Sequence, residues 1–292
     1  MLEAILSSEN SGLFIPESGR RCVGRIVDRR RWDFSHLSDP LGGPLFGFEK
    51  LLHGHGLVEM VFGLGDLFTG VFAETRCSAQ FGERSRVVPL ILEFRDADGA
   101  PNAYHPDDTG LDELSNAGAP ARWNGIITDR DGNPLVQQGG DPFPGYYISC
   151  TSLSDETREF TDPTRYVDAS KIPYVVLPED VADRGGARLG DFAVVKNLRN
   201  GKSSFAIYAD IGTLGEGSVA LADALGIWSD ARHGGASDGI LYLLFPGSGN
   251  LRPRTVGEIQ SEGEKLLSDW GGTKKLSFCA ESDDPAIGSG EF

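Results

Sequence analysis

One segment limits the fold more than any other: residues 189–212 contain two apolar stretches joined by the pair Asn200-Gly201. Both stretches are rich in β-branched and aromatic residues, which favour strands. Asn-Gly readily adopts the positive backbone φ of a tight hairpin turn. The sequence therefore predicts a β-hairpin whose second strand ends at Asp210.

The rest of the chain continues this β-rich pattern with short helices. Further strands are predicted at 145–153, 172–178 and 240–249, and residues 86–101 are predicted to form a strand followed by a turn at Asp98-Gly99. A second hairpin is predicted at 122–138, around Asp131-Gly132. Helices are predicted after Glu216 up to Gly226, at 256–270, and briefly before Gly118. The 39 glycines and 16 prolines favour turns over long helices. We therefore expect a mainly β fold with short helices.

The charge of the chain restricts its partners. The formal net charge is −16 and the isoelectric point is about 4.7. Nucleic acids and anionic membranes both attract Lys and Arg, so we expect neither as a partner. An acidic protein suits a polycationic partner, because opposite charge accelerates encounter. The alternative is that the acidity serves only solubility.

The cysteines and histidines do not predict a metal site. Four widely spaced cysteines occur, and none is part of a CxxC pair that would favour zinc: Cys22, Cys77, Cys150 and Cys279. They form either two disulfides or four buried thiols, and the sequence leaves both open. His53 and His55 form one short pair, which more often lies at a surface or in a core than on a metal. We expect no metal and no cofactor.

The chain divides by texture into two parts and a short ending. Residues 1–85 are interpreted as an N-terminal extension or a small domain of unknown role, and its opening does not resemble a signal peptide. The apolar window at 56–73 contains two acidic residues, which favours a buried segment over a membrane span. Residues 86–287 are predicted to form the main domain, and 288–292 read as a cloning remnant.

Two carboxylates follow the first hairpin at close spacing. Asp210 ends its strand, and Glu216 lies six residues later in a loop with three glycines, Gly212, Gly215 and Gly217. Glycines let a backbone turn sharply and approach a ligand closely. Hydrolysis of a glycosidic bond commonly uses two carboxyl groups, one as acid and one as base or nucleophile. The alternative is that both residues merely cap a turn and a helix.

A series of segments in the same order resembles a known family. They run from about residue 93 to 271 and read FRDADGAPNAYHPDDTGLDEL, WNGIITD, DPFPGYYISCTSL, RYVDASKIPYVVLP, LGDFAVVKN, YADIG, GEGSVALA and YLLFPGSG. Together they resemble glycoside hydrolase family 75, the fungal-type chitosanases, in its bacterial branch. The resemblance depends on the combination, since no single segment is specific enough.

The resemblance implies an activity and two site residues. It implies endo-hydrolysis of chitosan, a β-1,4-linked glucosamine polymer, with inversion. The essential pair of the family falls on Asp210 and Glu216, and we assign Glu216 as general acid and Asp210 as general base. The connecting loop IGTLG is shorter than is usual in the family. The resemblance also implies a secreted or extracytoplasmic monomer whose partner is a cationic polysaccharide.

Further residues in the matching segments are candidates for substrate binding. Carboxylates suit a glucosamine cation, and aromatic rings suit the apolar face of a sugar. The candidates are Asp129, Asp141, Asp168, Tyr146, Tyr147 and Trp123. The alternatives are capping of turns for the aspartates and core packing for the aromatic residues.

The same region resembles the core of double-psi β-barrels, in which a hairpin is followed by a strand-end Asp and a short helix. We therefore expect a closed, double-psi-like β-barrel with helical additions, and a β-sandwich is the alternative. Two other functions stay open beside chitosan hydrolysis. One is hydrolysis of another glycan such as peptidoglycan, and the other is glycan binding without catalysis.

Overall fold

The computed structural model describes residues 86–92 and 96–282. The predictions for 1–85 and for 288–292 lie outside these residues. The described strands are β1 Arg86–Leu92, β2 Gly118–Ala119, β3 Arg122–Trp123, β4 Tyr174–Leu177, β5 Phe192–Asn197, β6 Ser203–Ile211 and β7 Ala236–Phe245. The described helices are α1 Glu179–Gly185, α2 Val219–Ala224, α3 Val256–Trp270 and α4 Gly272–Ser282.

The hairpin predicted around Asn200-Gly201 is confirmed. Strands β5 and β6 pair antiparallel, with Phe192 opposite Ile207. Gly201 has a φ of 76°, a conformation that costs glycine little. Strand β6 ends one residue after Asp210, as the pattern predicts.

The five long strands form one mixed sheet. Its order is β1-β7-β5-β6-β4, and only the β4–β6 pair is parallel. All four residues of β4 are buried, which explains its uninterrupted apolar sequence. Between Val175 and Val176 the β4–β6 register shifts by one residue, so that Val176 faces Asp210.

This sheet is strongly curled. The hydroxyl of Tyr242 in β7 donates to the carbonyl of Glu216 at 3.3 Å, although Glu216 lies beyond the opposite edge strand β4. Asp96 pairs with Ser218 beside that same edge. Only four residue steps along the chain separate it from Leu92 in β1, a reach of at most about 14 Å. The mainly β fold is therefore confirmed as a half-barrel.

The β-sandwich alternative needs two packed sheets. Within the described residues, the second sheet is only the ribbon of β2 and β3, which pair through Gly118 and Trp123. The main core instead lies against one face of the curled sheet, around Tyr174, Phe192 and Leu243. Burial of each such large side chain stabilises the fold by about 1.5–3 kcal/mol.

Helix α3 covers part of this core. It begins with a capping box, in which Thr255 and Glu258 bond each other's backbone N–H groups, and it ends before Gly271. Ile259 and Leu267 are buried on its inner face. A Cβ at Gly263 would lie 2.4 Å from the Phe205 ring, so this glycine allows close packing on β6. The predicted helix at 256–270 is confirmed.

The hairpin turn predicted at Asp131-Gly132 forms, with an antiparallel bridge between Thr128 and Pro134, but most of the strand length predicted at 122–138 and 145–153 does not. These segments meet only at isolated bridges, such as Ile126 with Ser149 and Val136 with Tyr147. Side chains satisfy part of their backbone instead: the Gln137 amide donates to the carbonyls of Pro101 and Tyr147. The helical pattern before Gly118 yields only a 3-10 turn, Leu114–Ala117.

Two further observations concern the described residues as a whole. Cys150 is disulfide-bonded, which excludes the alternative of four free thiols. None of the helices among residues 86–92 and 96–282 is both long and apolar enough to span a membrane.

Candidate active site

Asp210 lies at the end of β6 and is completely buried, with 0% of its surface exposed. Its Oδ1 accepts hydrogen bonds from the Ser152 amide at 2.9 Å and from the Ser152 hydroxyl at 2.5 Å. The Ile211 amide donates to the same oxygen at 2.8 Å. Three donors on one oxygen hold this carboxyl group in a single orientation.

Glu216 lies in the turn between β6 and α2 and is half-buried. Its Oε2 accepts from the Thr213 amide at 2.9 Å, and its own amide donates to the Thr213 carbonyl at 3.2 Å. Gly215 has a φ of 97°, which explains why the loop needs glycine there. The helix cap is Ser218, which accepts from the Leu221 amide, so Glu216 is not the cap of α2.

The two carboxylate residues lie on opposite sides of Val176. Val176 faces Asp210 in the β4–β6 register and donates its amide to the Glu216 carbonyl at 3.1 Å. The adjacent bridge between Val175 and Gly217 fixes this alignment. Two strand spacings separate the Asp210 and Glu216 backbones, which is about 10 Å.

Two further aspartates surround Asp210. Asp96, Asp98 and Asp210 can each offer one carboxylate oxygen within 4.8 Å of the others, and all three are buried. Carboxylates crowded in this way either share protons or gather around a cation. The three oxygens could together bind a metal ion through hard ligands.

The loop that carries Asp96 and Asp98 is tightly held. The Asp98 amide donates to Asp96 Oδ1 at 2.8 Å, and the Gly99 amide donates to the Ser149 hydroxyl at 2.9 Å. A Cβ at Gly125 would lie 2.6 Å from Asp98 Oδ1, so only glycine leaves room for this carboxylate. This Asp-x-Asp pair was not among the site residues predicted from the sequence, although its position just before Gly99 was a visible signal.

Buried tyrosines complete the cluster. Tyr104 donates its hydroxyl to Asp98 Oδ1 at 2.6 Å, and Tyr174 donates to the Asp98 carbonyl at 3.0 Å. Burial raises the pKa of Tyr104 and of Tyr174 well above the ordinary value, and the neighbouring aspartates raise both further. Both phenols therefore stay protonated and act as donors.

Two further buried groups, Tyr242 and Asp112, also have raised pKa values. Burial raises the pKa of Tyr242, and the negative charge of Glu216 raises it further. Burial raises the pKa of Asp112 from 3.8 to about 6, against the lowering effects of Asn116, the Glu113 amide and Arg232. Asp112 is 1% exposed, and its charge also raises the pKa of Tyr104.

The three aspartates predicted to bind substrate each cap a turn. Asp129 accepts from the side chain of Asn133 and from the backbone amides of Asn133 and Asp131, and these hydrogen bonds lower the pKa of Asp129. Asp141 accepts from the Gln138 amide at 2.7 Å. Asp168 accepts from the Ser170 amide and hydroxyl and pairs with Lys171 at 2.7 Å.

The predicted aromatic residues fall into two groups. Trp123 and Tyr147 are half-buried with ring centroids 6.3 Å apart, and both pack against the core. Tyr146 instead contacts His105 at 4.8 Å and Phe143 at 5.7 Å. Phe143 is 40% exposed, so this second group presents an aromatic edge to solvent.

Comparison with known proteins gives one match. No curated protein matches the chain. The model of a family described as fungal chitosanase of glycosyl hydrolase group 75 matches residues 144–267. That range includes Ser152, Asp210 and Glu216. The matched range begins at residue 144, so Asp96 and Asp98 lie before it. The resemblance to this family is thereby confirmed over residues 144–267, where the family model matches the chain.

Proposed function

We propose that this protein is an endo-acting chitosanase that hydrolyses β-1,4-linked glucosamine polymer with inversion. The carrying observation is the placement of Asp210 and Glu216 on either side of Val176, within the range that matches the family. Inverting enzymes separate their two carboxyl groups by roughly 6.5–9.5 Å to admit a water molecule. Backbones about 10 Å apart are compatible with that separation.

The two carboxylates differ in exposure, which supports different roles. Glu216 is half-buried at a turn, where a leaving-group oxygen can reach it, and we assign it as general acid. Asp210 is assigned as general base. Its 0% exposure leaves no room for a water molecule, so the base role requires local opening when substrate binds. Geometry without substrate does not exclude such a role.

The proposed substrate is a cationic polysaccharide. The net charge of −16 favours encounter with protonated amines. Asp141, Phe143 and Tyr146 lie on one short loop, where a carboxylate and two rings can contact one sugar. The other proposed binding residues either cap turns or pack against the core.

Location, assembly and the finer fold are part of the same proposal. The disulfide at Cys150 favours an oxidising compartment, and we propose a secreted or extracytoplasmic monomer. The curled mixed sheet, the strand-end Asp210 and the following helix α2 favour a double-psi barrel.

The direct test is release of reducing ends from chitosan by wild type, Asp210→Asn and Glu216→Gln. We expect each variant to lose at least about 100-fold in rate, because general acid–base groups contribute that much or more. Glu262→Gln on the exposed face of α3 is the matched control and should retain wild-type activity. Near-normal activity of both site variants, with the fold intact, refutes the assignment.

One observation favours a second function. The complete burial of Asp210 suits a protein that binds a glycan without cleaving it. Chitosan, chitin and cell-wall sacculi should be compared as substrates and as ligands. Binding without release of reducing ends from any of the three would favour this second function. Release from sacculi alone would indicate a hydrolase whose substrate is peptidoglycan.

A further inference from the structure

We propose that Ser152 is a positioning residue that holds Asp210 in the orientation needed for hydrolysis. This inference rests on the proposed function, since it concerns the same reaction. Ser152 and Asp210 are 58 positions apart in the sequence, and the contact exists only in the folded protein.

Ser152 contributes two of the three hydrogen bonds to Asp210 Oδ1. Its amide donates at 2.9 Å and its hydroxyl at 2.5 Å. The terminal torsion of an aspartate is broad, so an unrestrained carboxyl group samples many orientations. Hydrogen bonds to charged groups are among the stronger ones in proteins. The hydroxyl therefore selects one orientation from this range.

The carboxylates around Asp210 explain why its orientation needs a restraint. Asp96 and Asp98 bring carboxylate oxygens within 4.8 Å of Asp210 in a buried region. Like charges at such distances repel strongly where water is excluded. A donor fixed on Oδ1 stabilises the carboxylate against displacement by its two neighbours.

Ser152 is itself rigidly placed. The Leu153 amide donates to the Ala209 carbonyl at 2.8 Å, which joins this segment to β6 next to Asp210. Thr151 donates its hydroxyl to the Leu153 carbonyl at 2.7 Å and accepts from the Val167 amide at 3.0 Å. Ser152 is 6% exposed, so bulk water cannot readily replace its hydroxyl.

The test compares three variants of the full chain on chitosan. Ser152→Ala removes the hydroxyl bond and keeps the amide bond, and we expect kcat to fall by about 10- to 100-fold while KM stays unchanged. Ser152→Thr keeps a hydroxyl and should recover most of kcat. Ser248→Ala is the matched control: its part-buried hydroxyl accepts from the Phe192 amide and donates to the Phe245 carbonyl, away from Asp210, so Tm should fall while kcat persists.

Each outcome decides the proposal. A folded Ser152→Ala variant with wild-type kcat overturns it, and so does an equal loss of kcat in Ser248→Ala, which would reflect general loosening. A rise in KM alone also overturns it, since that would place Ser152 in substrate binding. Wild-type protein that releases no reducing ends from chitosan refutes the proposed function, and this inference with it. The variant results above, obtained with an active wild type, count against this inference alone.

Discussion

Asp210 and Glu216 lie on opposite sides of a single residue, Val176, which pairs with Asp210 on one side and donates its amide to the Glu216 carbonyl on the other. The one-residue shift in the β4–β6 register creates this alignment, because it brings Asp210 rather than Ala209 opposite Val176. The shortness of the loop between the carboxylates is therefore compatible with a wide separation. The loop passes around the end of β4, so its ends lie on different sides of that strand.

Gly215→Ala should weaken both the fold and the proposed activity. Gly215 has a φ of 97°, a conformation that disfavours side chains with a Cβ by about 1–2 kcal/mol. The same turn sets the position of Glu216 through its bonds to Thr213. We expect a lower free energy of unfolding, measured with urea, and a lower kcat on chitosan. Gly257→Ala, at an exposed helix position with open space, is the control.

Gly125→Ala should disturb the acidic cluster from outside it. The added Cβ would lie 2.6 Å from Asp98 Oδ1, the oxygen that accepts from Tyr104. Overpacking of this kind typically costs about 1–3 kcal/mol of stability. Gly139→Ala meets nothing within 4 Å and should change stability by less than about 0.5 kcal/mol. Equal denaturation midpoints for the two variants would contradict the close approach of Gly125 to Asp98.

Asp112 should make stability depend on pH. Its pKa in the folded state is about 6, above 3.8 for the unfolded chain, so the fold favours the protonated form. Its destabilising effect is absent below pH 3.8, grows as pH rises, and is complete above pH 6. A folded-state pKa of about 6 against 3.8 in the unfolded chain corresponds to a loss of about 3 kcal/mol in the free energy of unfolding at high pH.

Asp112→Asn tests this sign directly, because the amide cannot ionise and can still accept from Asn116 and the Glu113 amide. The variant should be more stable than wild type at pH 7.5, and the difference should vanish toward pH 4. Asp155→Asn provides the opposite control. The pKa of Asp155 is lowered by hydrogen bonds with Thr157, so this change should not stabilise the protein at pH 7.5. The measured quantity is the stability of Asp112→Asn relative to wild type. If this quantity falls between pH 4 and pH 7.5, the effect assigned to burial is contradicted.

The aromatic edge formed by Phe143 and Tyr146 should contribute to substrate binding. Tyr146→Ala removes a ring that contacts both Phe143 and His105, and we expect KM for chitosan to rise with little change in kcat. Phe160→Ala is the control, since Phe160 is 54% exposed and lies in a separate turn. The same change in KM for both variants would indicate a nonspecific effect of surface apolar area.

Local patterns in the sequence were sufficient to predict several elements. The β5–β6 hairpin, the buried strand β4 and the helices α2 and α3 all follow from patterns in contiguous segments of the chain. Turn glycines, helix caps and runs of buried apolar residues act through neighbours in the chain, which is why they can be read from it. Asp210 and Glu216 were likewise selected from one contiguous glycine-rich segment, and their catalytic role stays a prediction.

The segment from 122 to 153 shows where such patterns fail. Its alternating residues predicted strands, but beyond the two residues of β3 its backbone pairs at isolated bridges and partly with side chains such as Gln137. Strand propensity describes a fit to a half-buried pleated surface, and that surface depends on partners far along the chain.

By itself, the sequence determined the local elements, the acidic charge and the two carboxylates of the family pattern. Only the tertiary structure decided that Asp96 and Asp98 join Asp210, that Ser152 holds its Oδ1, and that Asp210 has no exposed surface. These relationships depend on register shifts and on hydrogen bonds between residues tens of positions apart. Burial and crowding of charge arise from packing, so no local pattern of residues specifies them.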